Sequence, residues 1–381
     1  MFYLSLQFSL HRHLFVLLSL AFLFDFPAIS QTPHVVYVVN ELSDSISAYA
    51  MNAASGDLTP VAGSPFSTPH MPHRLVVNPS GTYAYLVTDD SSAARLVTFS
   101  IERASGALAV KDNQPLPSPS FAVPSVEASG RLLLLSSGRT GNITIYRFNP
   151  GSGIPSLIGS LHTPTLSWSS TIDSVGKFVF LAGNSNSVAG YAIDAQKGAL
   201  TAIPGSPFVV RSMTPVAAHR PTSQIAVLHP SGNFLYATDP VHGTISAFSL
   251  DRTNGSIHAL TGSPFFAQGV LPFETAVEVH GKFLYAGDWH RGMIAGFSID
   301  NSGTLTPIAG SPFLVTFTSG NARNGGTALA IDRSGRFLYA TSTEQNEIAG
   351  FSIDPSTGAL IPLPTGPVPT GKHPFRVAVS P

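Results

Sequence analysis

The chain has 381 residues, a formal net charge of -1 and only 11% charged residues. That balance supplies no basic surface for nucleic acid and no polybasic run for anionic lipid, and the absence of cysteine excludes disulfides. Its 34 glycines and 31 prolines fall between short Val, Ile, Phe and Tyr runs without a collagen period, which is a turn-rich β composition.

From the N-terminus, the apolar run Leu14 to Phe24 follows His11, Arg12 and His13 and precedes Ala28-Ile29-Ser30. It is too short for the ~20 residues that span a bilayer. The expectation is a signal segment over 1–30, cleaved near Ser30, no membrane span after cleavage, and a secreted or periplasmic domain over 31–381.

Beyond Val35 one phrase returns seven times: an aromatic residue, an acid or Asn three positions on, then a Gly. The copies are Tyr49/Asn52/Gly56, Phe99/Glu102/Gly106, Tyr146/Asn149/Gly153, Tyr191/Asp194/Gly198, Phe248/Asp251/Gly255, Phe297/Asp300/Gly303 and Phe351/Asp354/Gly358. A period of about fifty residues means one supersecondary unit stacked on copies of itself.

The fifth copy is the clearest. Ile225 to Leu228 is an apolar run, His229 to Gly232 a turn, and Phe234 to Thr238 a second β-rich run. Thr244 to Leu250 then alternates small polar with apolar residues, and Ile257 to Leu260 forms a fourth short strand before Gly262-Ser263-Pro264-Phe265. Pro lacks a ladder donor, so pairing should stop there. Four antiparallel strands per repeat and seven repeats predict an all-β fold, a seven-bladed β-propeller. The first repeat opens directly on a second-strand sequence, Val35 to Val39, while the chain ends on an inner strand, Phe375 to Ser380. The C-terminal strand should therefore close the ring in blade 1. The recurring acids and glycines read as turn caps with positive φ, not as seven sites.

Ligands of such a ring sit at the mouth of the central channel, and departures from the repeat there carry the functional information. Blades 1 and 2 bring Glu41, His73, Arg74, Asp89, His373 and Arg376 to one side, where paired guanidinium groups suit a carboxylate or phosphate. Blades 5 and 6 bring Asp239, His242, Glu274, Asp288, Trp289, His290 and Arg291 to the other, where an aromatic ring beside acids suits a sugar-like ligand. Zinc-protease and nucleophile-elbow motifs are missing. Gly366 to Lys372 starts like a phosphate-binding loop, but His373 replaces the Ser or Thr and two prolines remove amides.

Pro230 to Asp239, Asp332 to Thr341 and Val36 to Leu42 resemble the seven-bladed lactonase family, which includes propeller-type 6-phosphogluconolactonase and fungal muconate cycloisomerase and grades into YVTN-repeat propellers. The resemblance spans Val35 to Pro381. In that family a Gly-Pro-Arg-His phrase precedes an inner strand and Asn-Glu-Leu follows the next strand. Asn40-Glu41-Leu42 matches the second phrase, and His373 and Arg376 stand as displaced counterparts of the first. The resemblance implies a lactone hydrolase acting on a sugar-derived lactone. Glu41 or His73 would be its base, Arg74 and Arg376 would stabilise the oxyanion, and no cofactor or metal would be required. Asp239, Glu274, Asp288, Trp289 and His290 are the second set of ligand-binding candidates, and Asp239, Asp288 and Glu274 are an alternative divalent-cation site. The competing expectation is a non-catalytic propeller that binds a glycan, a peptide or an envelope protein.

Overall fold

In the computed structural model the described residues are 34–380, apart from 91–92, 118–120, 165, 184–186, 211–224, 289 and 318–327. The expected signal segment and Trp289 lie outside them. Residues 32–381 form one compact unit made of seven antiparallel sheets, the blades. Among the described residues no helix is long and apolar enough to cross a membrane.

Each blade runs from an inner strand at the channel to an outer strand at the rim. In blade 5 the four are Ala226–Leu228, Phe234–Asp239, Thr244–Leu250 and Ile257–Ala259. Second strands are sandwiched between neighbouring blades, so they read as nearly unbroken apolar runs such as Phe178–Gly183, buried throughout. Outer strands face solvent, and Leu108–Pro115 is mostly exposed. Ring closure is as expected: Pro374–Val379 pairs antiparallel with His34–Asn40, matching Val36 with Val379 and Val38 with Val377.

The Gly-Ser-Pro-Phe turns interrupt the rim without ending it. After Gly63-Ser64-Pro65 the chain returns to pair Phe66 with Ile46 and Ser67 with Ser45. The Ser64 hydroxyl accepts the Ala48 N–H at 2.9 Å, and Ser206, Ser263 and Ser311 do the same for Gly190, Ala247 and Gly296. The serine thus replaces the ladder partner that the proline turn removes. Blade 7 makes the interruption with Pro364 to Pro367 instead, between Leu360–Pro362 and Val368–Pro369, and in blades 2 and 3, which have no such turn, the outer strand runs unbroken from Leu108 to Pro115 and from Pro155 to His162.

The recurring phrase has a second role that its turn chemistry does not reveal. The Asn52 side chain caps its turn by accepting the Ala54 and Ser55 N–H groups, as expected. The glycine carbonyl then takes a hydroxyl from the preceding blade: Tyr37 to Gly106 at 2.7 Å, Tyr85 to Gly153 at 2.9 Å, Tyr236 to Gly303 at 3.0 Å, Tyr285 to Gly358 at 2.7 Å. Tyr339 donates to Gly56 at 2.6 Å across the closure. Burial pushes these tyrosine pKa values upward, which keeps the hydroxyls as donors. Blades 3 and 4 carry Leu134 and Phe180 at this position, so those joints rest on apolar packing.

Candidate active site

At the mouth, four inner strands begin with a bulge among the described residues. Register slips between Pro72 and Arg74, Ser167 and Ser169, Pro272 and Glu274, and around Pro374 and Arg376. A bulge re-aims the side chains on either side of the extra residue. The extra residues are His73, Trp168, Phe273 and Phe375, and Arg74, Ser169, Glu274 and Arg376 follow them. The opening therefore carries aromatic rings beside charges.

These groups form one connected wall. Phe375 packs against His73 at 5.0 Å and stacks with His373 at 5.9 Å between ring centres, and His73 meets Phe121 edge-on at 5.3 Å. Phe121 lies 5.0 Å from Trp168 and under the Arg139 guanidinium at 4.1 Å. Arg376 covers Phe375 at 4.2 Å and Phe273 at 5.0 Å. Its Nε is 3.6 Å from Glu274 Oε2, an ion pair too long for a hydrogen bond. Arg74 donates from Nη2 to the Trp168 carbonyl at 3.1 Å.

Glu41 sits on a short 3-10 turn, Glu41–Ser43, whose amide donates to the His373 carbonyl at 3.0 Å. His373 has φ +56, a left-handed backbone uncommon for a residue with a side chain, held by the Asn346 side chain accepting its N–H at 2.8 Å. This backbone strain is of the kind that clusters at functional sites. It puts His373 Nδ1 2.9 Å from Glu41 Oε2 without hydrogen-bond alignment. His73 Nδ1, Arg74 Nε, Trp168 Nε1, Glu274 Oε2 and Arg376 Nε are also buried without a hydrogen-bond partner in the protein. Such a concentration of unsatisfied polar atoms is unusual away from functional sites.

The electrostatics follow from this crowding. Burial, then the charges of Arg74, Arg376 and Arg139, drives His73 well below the usual histidine range, so its imidazole is neutral. Arg74 falls to about 9, chiefly through burial and then repulsion from Arg376, with Glu274 opposing. Arg376 is lowered by burial, with Glu274 and Glu41 opposing. Asp89 rises to about 6: burial dominates, Arg139 offsets part, and the charges of Glu41 and Asp90 add to the rise. Its Oδ2 is 3.9 Å from Arg139.

The structure thus joins Glu41, His73, Arg74, His373 and Arg376, and adds Glu274 to them from blade 6. Asp239 and Asp288 hold loops instead. Asp239 accepts the Val241 and His242 N–H groups and contacts the His242 ring, and Asp288 accepts from Leu271, His290 and Arg291. His290 is exposed beside that turn. Among the described residues no three His, Asp or Glu side chains gather as metal ligands, so Asp239, Asp288 and Glu274 do not assemble as a cation site. Arg139, Phe121, Trp168, Phe273 and Phe375 belong to the wall beyond the residues that the sequence singles out, whereas Asp89 is one of those. An aromatic or His recurs one position before Arg74, Ser169, Glu274 and Arg376, at 73, 168, 273 and 375, and that recurrence is the sequence signal for four of the wall's rings.

Comparison with known proteins agrees with this architecture. The family model described as "Lactonase, 7-bladed beta-propeller" matches residues 28–124 and 209–310. A 6-phosphogluconolactonase of Pectobacterium atrosepticum is 27% identical over 124 residues, 31% of this chain and 36% of that protein. The match therefore spans about a third of the relative's length. Among solved structures, a candidate 6-phosphogluconolactonase from Bacteroides fragilis superposes with a TM-score of 0.74 at 18% identity, covering 93% of this chain and 99% of the other. The periplasmic gluconolactonase PpgL of Pseudomonas aeruginosa gives 0.71 at 17% identity, covering 91% and 99%. At these identities the superpositions speak for the fold alone.

Proposed function

The chain belongs to the seven-bladed β-propeller lactonase family, and from that premise we propose that it hydrolyses a sugar-derived lactone at the channel mouth. The observation that carries the reading is the single wall containing Glu41, His373, His73, Arg74, Arg376 and Glu274.

Glu41 takes a proton from water, which attacks the lactone carbonyl carbon; the carbonyl π electrons move onto oxygen. Arg74 and Arg376 stabilise that oxyanion; Arg376 is ion-paired with Glu274 while Arg74 donates to the Trp168 carbonyl, both in a buried setting where charge interactions are strong. Collapse reforms the carbonyl and breaks the ring C–O bond, and the departing alkoxide takes a proton to give the hydroxy acid. Asp89, with its raised pKa, is the proton donor best matched to neutral pH, and His373 orients Glu41. His73 is too strongly held neutral to accept a proton readily, so its role is to pack between Phe375 and Phe121 and leave the guanidinium pair unneutralised.

Export to the periplasm or outside the cell fits the apolar N-terminal run and the compartment named for the PpgL relative. The test is acid release in weak buffer by the purified chain from Gln31 onward, against a panel of sugar lactones with and without phosphate. Turnover above the spontaneous rate on one of them supports the proposal. None on any would favour a non-catalytic propeller binding a glycan, a peptide or an envelope protein.

A further inference from the structure

The position one past the buried cap of the loop after each second strand is occupied by Glu41 in blade 1 and Asp89 in blade 2, but by Gly138 in blade 3. The missing side chain is what admits Trp168. A Cβ on Gly138 would stand 3.0, 3.1 and 3.2 Å from Cδ2, Cε2 and Cε3 of the indole, so the glycine backbone lies against the ring and fixes it. Phe121 braces the indole from blade 3 at 5.0 Å, and the Trp168 carbonyl anchors Arg74 at 3.1 Å. The ring itself remains half-buried at the mouth. A rigid, partly open indole beside a guanidinium and an acid is suited to the C–H face of a sugar ring whose hydroxyls meet the charged groups.

Charge narrows the ligand further. Among the described residues of the wall, Arg376 is paired with Glu274 and Arg139 with Asp89, and Arg74 donates to a carbonyl. Three guanidinium groups face three carboxylates, Glu41, Glu274 and Asp89. A phosphate dianion would meet an acid beside Arg376 and beside Arg139, whereas a neutral ring with one developing oxyanion suits the balance.

We propose that Trp168, seated over Gly138, is the platform on which an unphosphorylated sugar-lactone ring lies during reaction. This deepens the hydrolase reading and rests on the same site, but ring binding can be measured without turnover. The probe is 1,5-anhydro-D-glucitol, a pyranose without a carbonyl, titrated by calorimetry into the parent protein, Trp168→Ala, Trp168→Phe and Gly138→Ala. The expected result is weakening of about tenfold or more in Trp168→Ala, recovery of most of it in Trp168→Phe, and loss in Gly138→Ala, with the unfolding midpoint of Trp168→Phe unchanged. KM for D-glucono-1,5-lactone should follow the same order with kcat moving less, and its 6-phosphate should be the poorer substrate. Equal probe affinity in the parent protein and Trp168→Ala, no recovery in Trp168→Phe, no probe binding to the parent, or a preference for the phosphorylated lactone would each overturn the platform. Trp168-dependent binding without any lactone turnover would instead sink the hydrolase reading and leave the platform standing.

Discussion

Replacing Gly56 with Ala should loosen the ring at its closure. Gly56 has φ +79, and its added Cβ would stand 2.6 Å from Cε1 of Phe337 on blade 7. Two costs combine. The left-handed backbone disfavours a Cβ by roughly 1 kcal/mol, and forcing a methyl into the packed face against a buried ring adds about 1–3 kcal/mol. The Tyr339 hydroxyl bond to the Gly56 carbonyl is disturbed in the same movement. The control is Gly366→Ala, where φ is +71 but nothing lies within 4 Å of the new Cβ. That site should lose only the backbone share, about 1 kcal/mol. Urea unfolding, read at equal m-values, should place Gly56→Ala about 2–4 kcal/mol below the parent protein and clearly below the control. Equal losses in the two variants would refute the claim that the recurring glycine is demanded by contact between blades as well as by its turn.

Removing residues 374–381 should abolish cooperative unfolding, because blade 1 loses its inner strand and Val36 and Val38 lose their pairing; a sharp thermal transition near the parental midpoint would contradict this. Arg376→Met should lower kcat on the best lactone by about a hundredfold or more, as expected for a lost oxyanion donor, with KM changing less. Burial raises the Asp89 carboxyl from its ordinary 3.8 to about 6, so the folded state holds its proton longer. Its stabilising contribution is complete below pH 3.8 and is lost as pH rises through about 6, a fall of at most about 3 kcal/mol. Asp89→Asn should flatten that segment of the stability curve, and an unchanged slope would show that the carboxyl is better solvated than its surroundings imply.

The fold was legible because its determinants are local and repeated. The aromatic-to-glycine phrase, the apolar second strands and the displaced C-terminal strand each state one piece of a propeller, and the seven sheets match them. What the repeat concealed was contact between blades. The acid and glycine of the phrase read correctly as a turn, but a tyrosine hydroxyl from another blade gives no sign in sequence, since Tyr37 and Gly106 stand 69 residues apart. The site divided in the same way. Glu41, His73, Arg74, His373 and Arg376 depart from their repeat positions and were visible as departures. Glu274 seemed to belong with Asp239 and Asp288 because it shares their half of the chain, whereas the ring brings it across to Arg376. Trp168 is harder to read from sequence because a bulge inserts one residue, which sets the ring one position before Ser169, the residue that pairs in register with Ala182.

Lactone opening by a water that Glu41 activates is tested by the acid-release rate of Glu41→Gln beside the parent protein on the best lactone of the panel. The substitution preserves shape and removes the proton acceptor, so kcat should fall by about a hundredfold or more with an unchanged unfolding midpoint. A Glu41→Gln protein that releases acid at the parental rate would contradict that role for Glu41.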